Sequence, residues 1–95
     1  METIKSNLTN HARERMTVRN FPIDIVDDLD SFGDQIKCRD GGYKIAFSKR
    51  SRSQIRKERG KNALKVLEKY KTIYAVKCNN KIVTVARSRT PLFSH

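Results

Sequence analysis

Thr72-Ile73-Tyr74-Ala75-Val76-Lys77-Cys78, then Asn79-Asn80, then Lys81-Ile82-Val83-Thr84-Val85-Ala86-Arg87 is the stretch whose reading decides the fold. Two runs rich in β-branched residues flank two asparagines, and both asparagines tolerate positive φ, so the segment reads as a tight β-hairpin. Both runs are apolar on both faces for much of their length, which predicts that they are the central strands of a sheet. Further back, Gln35-Ile36-Lys37-Cys38-Arg39, Asp40-Gly41-Gly42 and Tyr43-Lys44-Ile45-Ala46-Phe47-Ser48 form a second hairpin signal. The alternation there puts Tyr43, Ile45 and Phe47 on one side and Lys44, Ala46 and Ser48 on the other.

Ahead of the strands the period is helical. Leu8 to Met16 reads as a short helix with Thr9 as N-cap, Ala12 and Met16 on one face, and His11 and Arg15 on the adjoining stripe. Pro22 suits the first turn of a second helix, Ile25, Val26, Leu29 and Phe32 give it an apolar stripe, and Gly33 supplies the stop. Asp24, Asp27, Asp28 and Asp30 are read as that helix's solvated acidic side. Between the hairpins, residues 49–61 hold seven basic side chains and one apolar one, Ile55. Gly60 either kinks one long helix or separates a flexible basic loop from a short helix, and the loop is the expected form. The short helix is then capped by Asn62, with Leu64, Leu67, Tyr70 and Val66 facing inward. The expectation is a single α+β domain over residues 1–95. Two N-terminal helices pack on a four-stranded antiparallel sheet, with a basic loop and short helix inserted at about 49–71.

Charge is the strongest functional signal. The 95 residues carry 21 Lys plus Arg against 10 Asp plus Glu, a net of +11. Residues 1–35 hold four basic and seven acidic side chains, a net of −3, so residues 36–95 carry +14. A field this lopsided attracts polyanions by steering and counterion release. A chain this short has no room for a deep cofactor pocket beside its core, and no cofactor is expected. Cys38 and Cys78 lie forty apart, and two cysteines with two widely spaced histidines give no metal-ligand cluster. No apolar signal region stands in residues 1–20 and no run is long enough to span a membrane, so the expected setting is cytoplasmic.

No phosphate-binding glycine loop, nucleophile elbow or zinc-protease motif is present. What the residues do allow is metal-independent phosphodiester chemistry, because RNA supplies its own nucleophile in the 2′-OH. Histidine is the side chain that moves protons near neutral pH, which makes His11 the candidate base or acid. Arg15 and Arg19 on the same helix, and Arg87 at the end of the last strand, are candidate phosphate clamps. Each also has a plainer reading, as a capping histidine or solvated arginines. Lys49, Arg50, Arg52, Arg56, Lys57, Arg59 and Lys61, with Arg89 beyond the last strand, are the candidate RNA-binding residues. Tyr43, Tyr70 and Tyr74 read as core rather than as stacking platforms, and His95 as part of a frayed end.

The order His11-Ala12-x-x-Arg15-Met16-x-x-Arg19, followed by the amphipathic acidic helix of Ile25, Val26 and Leu29, resembles the opening of the small RelE/ParE/BrnT-like toxin domains. It is also similar to the H-x-x-x-R helix of the phage endoribonuclease RegB. Lys81 to Arg89 is similar to the closing strand of such domains, so the likeness covers roughly residues 8–30 and 72–89, and residues 49–71 depart from it. The resemblance implies a RelE-like fold, metal-independent RNA cleavage on or near ribosome-associated mRNA, and an acidic antitoxin as partner. It implies phosphate contacts at Arg15, Arg19 and Arg87 and proton transfer at His11.

Three functional readings follow: a toxin-type endoribonuclease, a non-catalytic RNA- or ribosome-binding module using the 49–61 run, and an interaction protein that inhibits an acidic host factor. None involves a membrane.

Overall fold

In the computed structural model, which describes residues 8–39, 41–90 and 92–93, the elements run α1 (Asn10–Arg19), α2 (Ile23–Phe32), β1 (Asp34–Lys37), β2 (Tyr43–Ala46), α3 (Lys49–Arg59), α4 (Lys61–Glu68), β3 (Ile73–Cys78) and β4 (Lys81–Arg87). The fold is α+β, with the two N-terminal helices and a four-stranded antiparallel sheet as expected. Asp40 and His95 lie outside the described residues.

Thr9 caps α1 by accepting from the Ala12 N–H at 3.2 Å, and Ala12 and Met16 are buried as their spacing requires. The Asn79-Asn80 turn has φ 50° and 67°, the paired positive values that a right-twisted hairpin needs. The strands lie in the order β1-β2-β3-β4, so β2 and β3 are central while β4 is an edge. This corrects the expectation that both strands of the last hairpin are central. The outer edge of β4 is covered by the chain before α1 and by the last residue of α1. Leu8 bridges Ile82, Thr9 donates from N to the Ile82 carbonyl at 3.0 Å and from Oγ1 to Val83 at 3.5 Å, and Arg19 Nη1 donates to the Val85 carbonyl at 2.9 Å.

A bulge in this hairpin shapes the core. Val76 pairs with Thr84 but Lys77 pairs with Ile82, which leaves Val83 without an opposite residue. The alternation therefore slips, and Ile82 and Val85, three apart, are both fully buried. They join Ile45, Ile73 and Ala75 from the sheet and Ala12, Met16, Ile25, Val26, Leu29, Ile55 and Leu67 from the helices in one cluster.

Further expectations are corrected. Residues 49–59 form a helix, not a loop. Ser48 and Ser51 form a reciprocal capping box, with Ser48 Oγ accepting from Ser51 N at 3.1 Å and Ser51 Oγ from Ser48 N at 2.6 Å. Ser51 and Ile55, four apart, give the helix a buried stripe. Gly60 at φ 91° then separates α3 from α4, which begins at Lys61 with no side-chain cap from Asn62. Leu67 is buried and Ala63, Leu64 and Tyr70 pack against the core, whereas Val66 is half exposed.

The acidic side of α2 is also more than a solvated face. Asp28 is buried and meets Arg59 of α3 at 3.0 Å, and Asp30 meets Lys77 of β3 at 2.9 Å. The reason is position: α2 packs against β2, β3 and α3, so the flanks of its apolar stripe are covered too. Gly33 ends α2 with ordinary extended backbone, and its role is space. A Cβ there would stand 2.5 Å from the Leu29 carbonyl and 2.6 Å from Ile45 Cγ2.

Candidate nucleic-acid interface

The helical form of the basic segment sorts its charges by face. At 100° per residue, Lys49, Arg52, Ser53 and Arg56 share one stripe of α3, while Ser51 and Ile55 point into the core. Across Gly60, Lys61, Leu64, Lys65 and Glu68 share a stripe of α4. The two stripes face each other over an open groove, with one hollow of about 230 Å³ lined by Lys49, Arg52, Ser53, Arg56, Leu64 and Glu68. A second, of about 260 Å³, is lined by Arg56, Lys61, Leu64, Lys65 and Glu68. Five cations and one carboxylate thus line the groove.

Three of the seven cations in the 49–61 run are paired within the protein. Arg50 meets Asp34, Arg52 meets Glu68 at 3.0 Å, and Arg59 meets Asp28. Asp34 also accepts from Ser48 Oγ, so the start of β1 is tied to the start of α3. The Arg50 guanidinium, with Ser48 second, holds the Asp34 carboxyl below its usual range, and Asp34 in turn pushes Arg50 up. Lys49, Arg56, Lys57 and Lys61 form no ion pair among the described residues, and all four are exposed. Lys57 stands about 80° around α3 from Lys49, outside the groove stripe. Arg89 is exposed beyond the end of β4.

The proposed catalytic residues fall in two places. His11 and Arg15 are exposed on α1, and Arg15 Nε donates to His11 Nε2 at 3.4 Å. Arg19 and Arg87 lie around a shallow cavity of about 560 Å³ that Phe21, Tyr74 and Ala86 also line. The Arg87 guanidinium sits 5.5 Å from the Phe21 ring and 5.4 Å from the Tyr70 ring, and its Nη1 donates to the Lys69 carbonyl at 3.1 Å. His11 is absent from this lining, and the rise of α1 sets its Cα about 12 Å from that of Arg19. The structure therefore places Arg19 and Arg87 at one cavity whose lining includes neither His11 nor Arg15.

Chemically, an exposed imidazole accepting from a guanidinium has its lone pair engaged and can exchange that partner for a substrate proton. A ring-stacked arginine beside a second arginine suits an anion. Comparison of the chain with protein-family models, with curated proteins and with solved structures finds no match.

Among the described residues, no group of three His, Cys, Asp or Glu side chains is placed to hold a metal ion. No described helix is long and apolar enough to cross a membrane. Cys38 and Cys78 are free thiols, both half-buried. Sequence reading missed Lys65 and Glu68 as groove residues. The signal was present in the spacing of Lys61, Lys65 and Glu68, but it has meaning only once α3 is known to be a helix beside α4. Tyr70 and Tyr74 carry cations on their rings, Arg87 and Lys44 respectively, and Tyr43 is exposed.

Proposed function

We propose that this chain is an RNA-binding domain that holds a phosphate backbone along the α3–α4 groove. The observation that carries the reading is the groove itself, where Lys49, Arg52, Arg56, Lys61 and Lys65 stand on two facing helices. Two helical walls present their cations from fixed backbones, so less ordering entropy opposes binding than for a flexible basic loop. Neutralising four or five phosphates gives a slope of about −3 to −3.5 in log K against log salt for single-stranded RNA. Titration of a labelled RNA at several salt concentrations tests this, and an affinity indifferent to salt removes the proposal.

A second reading is favoured by the His11–Arg15 contact: RNA held in the groove is cut by a metal-independent, toxin-type mechanism. The 2′-OH attacks the adjacent phosphorus, His11 takes the hydroxyl proton, and the P–O5′ bond breaks as the 5′-oxygen takes a proton from water, giving a 2′,3′-cyclic phosphate and a 5′-hydroxyl. Arg15 stands beside the histidine for the developing charge, and Arg19 and Arg87 offer a neighbouring anion site. An RNA digestion with and without chelator separates the readings. The resemblance to RelE/ParE/BrnT-like domains supports the cutting reading, and with it an acidic antitoxin or inhibitor that covers the basic groove. In that case ribosome-associated mRNA is the substrate class and the cytoplasm the setting.

A further inference from the structure

The groove contains one group of the wrong sign for a phosphate. Glu68 lines both hollows, and its Oε1 accepts from Arg52 Nη1 at 3.0 Å while Oε2 stands 3.8 Å from Lys71 Nζ. The Glu68 side chain is 46% exposed, so solvent reaches it and a ligand can displace it.

We infer that Glu68 is a specificity-determining residue, an internal stand-in for phosphate that occupies Arg52 until a polyanion exchanges with it. The inference rests on the RNA-binding reading of the groove. A carboxylate offers Arg52 the same two-oxygen face that a phosphodiester does. An incoming phosphate must therefore replace an existing charge-assisted bond and also approach a fixed negative charge. A single phosphate at Arg52 gains little from the exchange. A longer backbone gains contacts at Lys49, Arg56, Lys61 and Lys65 at the same time, and those offset the displacement. Glu68 thus weakens binding of short or isolated anions and leaves extended RNA as the favoured ligand.

The neighbouring carboxylate Glu58 provides an internal control. It lies on α3, is exposed, and stands about 180° around that helix from Lys49, away from the groove. Glu58→Gln and Glu68→Gln change the net charge identically, so bulk attraction to RNA changes identically.

The experiment measures the affinity of the full chain and of each variant for one labelled single-stranded RNA, at several salt concentrations, with folding checked by circular dichroism. Glu68→Gln is expected to bind about tenfold tighter with its salt slope unchanged, because Arg52 meets a phosphate in both chains and only the carboxylate to be displaced is lost. Glu58→Gln is expected to change affinity less than about twofold, a surface charge outside the site. Glu68→Ala, which also frees Arg52, is expected to move in the same direction as Glu68→Gln. An unchanged or weaker affinity in Glu68→Gln, or an equal gain in both glutamine variants, overturns the inference while the RNA-binding reading stands. Failure of the unsubstituted chain to bind RNA overturns the reading itself.

Discussion

Arg59 at the end of α3 reaches across to Asp28 in the middle of α2, Nη2 to Oδ1 at 3.0 Å, and joins the most basic segment of the chain to its most acidic helix. The Asp28 side chain is 7% exposed and that of Arg59 44%, so the carboxylate bears the desolvation cost and the guanidinium stays partly in water. The pair ties the end of α3 to α2, on the helix whose buried Ser51 and Ile55 face inward. Arg59→Ala is expected to destabilise the fold by about 2 kcal/mol, because it leaves a buried carboxylate short of its cation. Lys57→Ala, with no ion-pair partner among the described residues, should stay within about 0.5 kcal/mol. Urea unfolding of the two variants checks the contrast, and equal midpoints would refute it.

Gly33→Ala tests the close approach of α2 to β2. The added methyl meets the Leu29 carbonyl and the Ile45 side chain inside contact distance. Overpacking of this kind costs about 1–3 kcal/mol. The substitution relaxes no unusual φ, since Gly33 sits at −64°, so no backbone benefit offsets the clash. A lowered thermal midpoint with native circular dichroism at low temperature is the expected result, and an unchanged midpoint contradicts it.

Much of this architecture is legible in the sequence, for local reasons. The Thr9 cap, the Ala12–Met16 face, the stripe of Ile25, Val26 and Leu29, and the Asn79-Asn80 turn each depend on neighbours within a few residues, and each is found in the structure. What was illegible depends on distant partners. A run with seven cations reads as a loop because its self-repulsion is visible and its relief is not. The relief comes from Asp28, Asp34 and Glu68, the first two of them in elements before α3 in the chain. In the same way, nothing near β4 announces that Leu8 and Thr9 seal its edge, or that a bulge at Val83 turns both Ile82 and Val85 inward. His11 and Arg15 are four apart on a helix and meet as their spacing says, whereas the shared cavity of Arg19 and Arg87 is a tertiary fact.

Asp34 gives the stability a pH dependence of definite sign. Its folded pKa lies below the ordinary value, chiefly through the Arg50 guanidinium and then the Ser48 hydroxyl. A depressed carboxyl stabilises the fold above its unfolded pKa, near 4, and loses that contribution as pH falls through the lower folded value. Asp34→Asn should therefore unfold at lower urea than the unsubstituted chain at pH 7. Below pH 4 the gap should narrow progressively as the native carboxyl takes up its proton. A gap that is constant across this range would show that the charge on Asp34 is not what ties β1 to α3.

His11→Ala tests the cutting reading alone. The side chain is exposed and its one hydrogen bond among the described residues is to Arg15, so the variant should fold and bind RNA normally. If His11 moves the proton, cleavage should fall by about 10²–10⁴. Cleavage by the unsubstituted chain should survive EDTA and leave a 2′,3′-cyclic phosphate. Full cleavage by His11→Ala takes the histidine out of the mechanism without touching the groove.

RNA bound along α3 and α4 places its phosphate contacts on the groove cations, and one paired measurement of RNA affinity locates them. One variant reverses Lys49, Arg56 and Lys61, exposed cations that line the groove and lack ion-pair partners among the described residues. The other reverses Arg13, Lys37 and Lys81, which are exposed on α1, β1 and β4. Both lose the same net charge. If RNA lies along α3 and α4, the groove variant should bind at least about a hundredfold more weakly, with its salt slope flattened by about 2, while the second variant loses less than about tenfold with its slope retained. Equal losses in the two variants, or a groove variant that binds like the unsubstituted chain, would contradict the placement of RNA in this groove.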